Sequence, residues 1–145
     1  MQNRLYNKNK NITSKIMTIE ELKQNFEMLE DGEDKFAYLI ELGKTLSPFP
    51  EVLKNDEHRI YGCSSNVWFD YKKNGDKYEF VFESDALIVK GLLYVVGLIF
   101  NSKTIKEISD IDAVKIFDDI GLSGTLSNQR QVGLLSVIKK IKEIK

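Results

Sequence analysis

From Met17 onward the spacing of apolar residues changes period twice, and each change marks a change of element. Ile19, Leu22, Phe26 and Leu29 lie three or four apart, the stripe of an amphipathic helix. Thr18 with Glu21 three positions on has the spacing of a capping box, and Met17 with Leu22 that of a hydrophobic staple, so a helix is predicted from about Ile19 to Glu30. Asp31-Gly32 interrupts it. A second helix, about Glu33 to Leu46, carries Phe36, Leu39, Ile40, Gly43 and Leu46 on one face and stops at Ser47-Pro48-Phe49-Pro50. The short link predicts that the two helices pack antiparallel.

The period then falls to two. His58 to Tyr61 reads as a short strand, Val67 to Lys73 as a second, and Asn74-Gly75 as a type I′ turn into a third. That turn pairs Tyr71 with Tyr78, Phe69 with Phe80 and Val67 with Phe82, an aromatic face expected to meet the helices. The opposite face, with Asp70, Lys72, Lys77 and Glu79, is expected to be wet, and Trp68 on it to be partly covered by a loop. Ala86 to Phe100 is apolar nearly all round except at Lys90, which predicts a central buried helix capped by Ser84 or Asp85. A short turn at Ile105 to Ser109 follows, then a helix capped by Asp112 that ends at Gly121. Ser127 caps a last helix, with Leu134, Val137, Ile138, Ile141 and Ile144 inward and Lys139, Lys140, Lys142 and Lys145 suiting its C-terminal end. This order defines an α+β domain, a three-stranded antiparallel sheet with helices packed on one face. Residues 17–145 read as one domain. Residues 1–16 hold Arg4, Lys8, Lys10 and Lys15 without an acid or an apolar period, and read as a disordered basic tail.

Composition narrows the function. In 145 residues, 21 basic side chains nearly balance 22 acidic ones, so no overall field favours nucleic acid or an anionic membrane as partner. The longest apolar run is too short for a membrane span and contains Lys90. One cysteine excludes an intramolecular disulfide and fits a reducing, cytoplasmic compartment. One cysteine and one histidine cannot supply a tetrahedral zinc site or a cluster held by four thiolates.

That cysteine, Cys63, falls in the polar Gly62-Cys63-Ser64-Ser65 loop between two predicted strands. Local context leaves two readings open: a reachable, reactive thiol, or the buried small hydrophobe that free cysteines commonly are. His58 has no partners in sequence that would make it catalytic. Arg130, in the first turn of the last helix, opposes the helix dipole, which suggests a role beyond helix stability against the plainer reading of a surface arginine.

Four blocks in order, Glu41-Leu42-Gly43-Lys44, Gly62-Cys63-Ser64-Ser65-Asn66-Val67-Trp68, Ser84-Asp85-Ala86 through Leu92, and Leu126-Ser127-Asn128-Gln129-Arg130 with Gly133-Leu134, resemble the SufE family of sulfur-acceptor proteins. The resemblance implies a SufE/IscU-like fold and a cytoplasmic protein that stimulates a cysteine desulfurase rather than an independent enzyme. It implies that Cys63 accepts sulfane sulfur from the persulfide of a SufS-like cysteine desulfurase and passes it to a SufBCD-like iron–sulfur scaffold. Pyridoxal phosphate would then sit on the partner, and this chain would hold no cofactor or metal. Arg130 and Asp85 match family blocks and become candidates for a thiolate or partner contact, with a helix cap as the local alternative for Asp85. Val132 departs from the polar residue usual before Gly133-Leu134. An inert interaction module and a redox-sensing thiol are the rival readings.

Overall fold

The computed structural model describes residues 17–144; the basic tail over 1–16, expected to be mobile, and Lys145 lie outside them. Helix α1 (Ile19–Glu27) opens on the expected capping box: Thr18 Oγ1 accepts the Glu21 N–H at 3.1 Å and the Glu21 carboxylate accepts the Thr18 N–H at 2.9 Å. Helix α2 (Gly32–Gly43) is capped by Asp31, whose carboxylate accepts the Asp34 N–H. It ends three residues before the expected Leu46, where the Thr45 hydroxyl donates to the Leu42 carbonyl in place of the next helical bond. The antiparallel pairing of these two helices is slight. They touch where Phe26 meets Tyr38 edge-on at 5.2 Å, but α2 lies chiefly along α3 (Leu87–Phe100), and α1 chiefly on a later helix, Ala113–Ile120. The apolar stripe of each finds a larger partner elsewhere.

In the sheet, β1 (Val67–Asn74) and β2 (Lys77–Ser84) form the predicted antiparallel hairpin with its register moved by two residues. Tyr71 lies opposite Phe80, Phe69 opposite Phe82 and Val67 opposite Ser84. The turn accounts for the change. A type I′ turn at Asn74-Gly75 needs two positive φ angles, but the loop is Gly75-Asp76, with Gly75 alone at φ 67°, the sign pattern of type II′. A slip of two keeps every side chain on its face. The aromatic face therefore stays inward except at Tyr71, which is 39% exposed near the hairpin tip; Tyr78, Phe80 and Phe82 are buried, and Phe69 packs against both Phe80 and Phe82 at 6.4 and 6.3 Å. The new register also sets Lys72 across from Glu79 on the wet face.

The third strand comes from a different place than expected. His58–Tyr61 contributes only one bridge, Arg59 to Trp68, flanked by bonds from the Ile60 N–H to the Val67 carbonyl and from the Phe69 N–H to the His58 carbonyl. Trp68, beside that bridge, is partly buried. The strand that completes the sheet is β3 (Lys103–Thr104), which reaches the other edge of β2 through Ser102 at φ 62°. It runs directly into α4 (Ile105–Asp110), whose capping box is Thr104 with Glu107.

Helix α3 is the central apolar helix, buried along most of its length, and Lys90 is accommodated by pairing with Glu83 at 3.6 Å. Its N-cap is Ala86, with no side-chain cap; Asp85 turns back to another partner, which corrects the expected cap. Against it, α2 crosses at two glycines. A Cβ on Gly43 would lie 2.7 Å from the Gly91 nitrogen, and one on Gly91 would lie 2.1 Å from the Leu39 carbonyl oxygen. Helix α5 (Ala113–Ile120) is capped by Asp112 and ended by left-handed Gly121. Helix α6 (Asn128–Lys142), capped by Ser127, closes the core with Val137, Ile138 and Ile141.

Candidate functional site

Two glycines shape the turn that carries Cys63. Gly62 has φ 100°, a conformation L-residues avoid, and a Cβ there would lie 2.4 Å from Ser136 Oγ on α6. Gly133 on α6 offers bare backbone, so the Cys63 thiol settles against it and donates to its carbonyl at 3.4 Å. At the other end of the loop, Asn66 is fastened twice. The Ser84 hydroxyl donates to its carbonyl at 2.7 Å, and the Asp85 carboxylate accepts its N–H at 3.2 Å and its side-chain amide at 2.7 Å. Asp85 thus holds the loop from behind and does not line the space beside the thiol.

That space is a cavity of about 120 Å³. Its floor is apolar, with Val67, Val89, Leu92, Leu93, Leu134 and Val137; Ser64, Ser65, Ser127, Gln129 and Arg130 supply the polar residues beside Cys63. The thiol is half-buried, between the two readings that the sequence left open. Burial pushes its pKa up, and the Arg59 guanidinium pulls it part of the way back. At rest Cys63 is a protonated thiol giving its hydrogen to a carbonyl.

Arg130 shares the cavity with Cys63, while its guanidinium lies 5.8 Å from the centre of the Phe36 ring on α2. The cation whose charge is felt at the sulfur is a different one, Arg59, which sequence reasoning passed over. No local pattern marked it: the positive φ at Gly62 breaks the alternation between residues 59 and 63, and only the folded chain brings the two together. Arg59 stacks on Tyr61, with its guanidinium carbon 5.3 Å from the ring centre. His58 is engaged elsewhere, its Nδ1 2.8 Å from Asn55 Oδ1 and its Nε2 3.9 Å from Asp70. Val132 is exposed on α6, so the family departure there leaves no buried group unpartnered. Among the described residues, no three His, Cys, Asp or Glu side chains gather as a metal site, and no helix is long and apolar enough to cross a membrane.

The chain's single cysteine thus lies half-buried in a loop fastened at Asn66, beside a cavity with an apolar floor. The profile of the SufE family, an Fe–S metabolism associated domain, matches residues 20–145, and the chain belongs to that family. It is 43% identical over 129 residues to an uncharacterized SufE-like protein of Rhizobium meliloti, covering 86% of this chain and 92% of that one. It is 36% identical over 121 residues to the cysteine desulfuration protein SufE of Wigglesworthia glossinidia brevipalpis, covering 83% and 84%. The solution structure of a hypothetical protein from Thermus thermophilus shares the fold, with a TM-score of 0.65 at 17% identity over 87% of this chain and 93% of that one. The family places the chain in iron–sulfur metabolism.

Proposed function

We propose that Cys63 is a persulfide carrier that accepts sulfane sulfur from a SufS-like cysteine desulfurase and delivers it to a SufBCD-like cluster scaffold in the cytoplasm. The observation that carries this reading is the thiol over its own cavity. About 120 Å³ exceeds the roughly 10–15 Å³ of probe volume that one water needs, so the cavity has room for one further sulfur atom beside the thiol. In the accepting step the Cys63 thiolate attacks the outer sulfur of the donor's persulfide. The new S–S bond forms as the old one breaks, and the donor cysteine leaves as a thiolate that takes up a proton. Freeing that cysteine for its next turnover is how acceptance stimulates the desulfurase.

Protonation sets the order of events. A free cysteine is only a few per cent thiolate at neutral pH, and burial leaves Cys63 with less. The loop must therefore turn outward when the donor docks, exchanging the Gly133 carbonyl for a setting in which the thiol ionises. Asp85 holds the base of that movement at Asn66, and Arg130 meets the incoming chain at the cavity. The same raised pKa makes Cys63 a poor peroxide sensor, since oxidation follows thiolate character.

Incubation with a cysteine desulfurase and cysteine, followed by intact mass and peptide mapping, tests the reading. One added sulfur on the Cys63 peptide, removed by reductant and missing from Cys63→Ser, is the expected result. Wild-type protein that docks on the desulfurase yet gains no sulfur would leave an interaction module in its place.

A further inference from the structure

One side of the Cys63 turn faces the cavity described above; the other abuts a second hollow of about 270 Å³. Arg59, Tyr61, Ser136, Lys139, Lys140 and Glu143 line it. Three cations meet one carboxylate there, in a chain whose net charge is −1. Among the described residues none of the three cations makes an ion pair, and the buried Arg59 Nε has no hydrogen-bond partner. A buried guanidinium donor left bare is costly unless something arrives to accept from it. Lysines at the end of α6 are accounted for by the helix dipole, but Arg59 comes from a different segment and converges on the same space.

Position argues for what arrives. Gly133, which receives the thiol's hydrogen bond, and Lys140 are seven residues apart on α6, two turns along one face and about 10 Å along the axis. Whatever fills the hollow stands beside a protein docked at Cys63. Tyr61, 61% exposed and held by the Arg59 stack, is an aromatic of the kind that anchors protein interfaces.

We propose that the Arg59–Lys139–Lys140 hollow receives an acidic side chain, Asp or Glu, of the sulfur-donating protein and fixes that protein against the Cys63 turn. The proposal rests on the sulfur-acceptor reading and adds the chemistry by which the donor is recognised. Charge complementarity of this kind steers encounter and is screened by salt.

The test titrates the full chain with the SufS-type desulfurase of the same genome, at low and at high salt. Reversal of charge in Lys139→Glu/Lys140→Glu should lower affinity about tenfold or more at low salt, with the loss shrinking as salt rises. Lys139→Gln/Lys140→Gln should lose less, and Arg59→Met should also weaken binding. Sulfur loading of Cys63 by a small polysulfide should be unchanged in both lysine variants, which shows them folded with an intact thiol. If wild type gains sulfur from the desulfurase and the reversed variant binds it equally well at both salts, the hollow is not the receptor and the carrier function stands. If wild type gains no sulfur at all, both proposals fall. Inorganic phosphate bound tightly by the free protein and lost in the reversed variant, with desulfurase affinity untouched, would assign the hollow to a free anion and overturn the proposal.

Discussion

The chain comes close to itself through glycine in two places, and the two differ in what lies opposite. Where α2 crosses α3, a Cβ on Gly43 or Gly91 would strike the other helix's backbone at 2.1 to 2.9 Å. Backbone in a helix cannot step aside, so that crossing is locked. At the Cys63 turn the neighbours are the Ser136 hydroxyl and the cysteine's own atoms, the latter no nearer than 3.4 Å to a Cβ on Gly133. One long thiol-to-carbonyl bond and a few side-chain tips hold it there. Close approach through glycine serves permanence in the first case and release in the second.

Gly91→Val should do the most damage, at least about 3 kcal/mol by denaturant unfolding, because overpacking against backbone has no side chain to relieve it. Phe80→Ala in the inward aromatic face should cost about 3–5 kcal/mol if the sheet packs as a unit with that crossing, while Lys77→Ala at the exposed hairpin tip should stay within about 0.5 kcal/mol. Gly133→Ala sharpens the contrast from the other side. Its new methyl meets the sulfur at ordinary contact distance, and alanine is the better helix former by roughly 0.8–1 kcal/mol, so stability should move by less than about 1 kcal/mol in either direction. A loss at Gly133 as large as at Gly91 would erase the distinction between the locked crossing and the releasable turn.

The smallest effect is in titration. Alkylation of Cys63 should rise with pH later than that of free cysteine, since burial favours the neutral thiol, and Arg59→Met should delay it further by removing the cation that opposes burial. The sign for stability follows. A thiol pKa raised on folding contributes stability that is present below the unfolded pKa and lost as pH climbs through the folded one. Alkylation that follows the free-cysteine profile in both proteins would mean the turn is already open at rest.

Helix caps and the inward aromatic face were legible in the sequence because both are local: Thr18-Glu21, Asp112 and Ser127 need only their own next turn. The hairpin register was not, since Asn74-Gly75 and Gly75-Asp76 are both acceptable turns and the choice falls to cross-strand stacking and charge pairing. The third strand was missed for a similar reason. Two residues, Lys103-Thr104, have no periodicity to read, whereas His58–Tyr61 has the pattern of a strand and makes a single bridge. Of the candidate site, Cys63 and Arg130 converge on one cavity, while Asp85 exchanges an expected cap for the clamp on Asn66. Arg59 could be weighed only once its neighbours in space were known.

Among the described residues, β3 covers only Lys77 and Tyr78 on the outer edge of β2, and a substitute serves beyond them. The Asn101 carboxamide oxygen accepts the Phe80 N–H at 2.6 Å, and the Ser102 N–H reaches the Tyr78 carbonyl at 2.8 Å. Two side-by-side residues at the end of α3 thus stand where a neighbouring strand would be. An open strand edge is a template for self-association, and here one asparagine closes part of it. Asn101 therefore bears on how concentrated this protein can become in a cell before copies begin to add to one another's sheets, a constraint separate from anything Cys63 does.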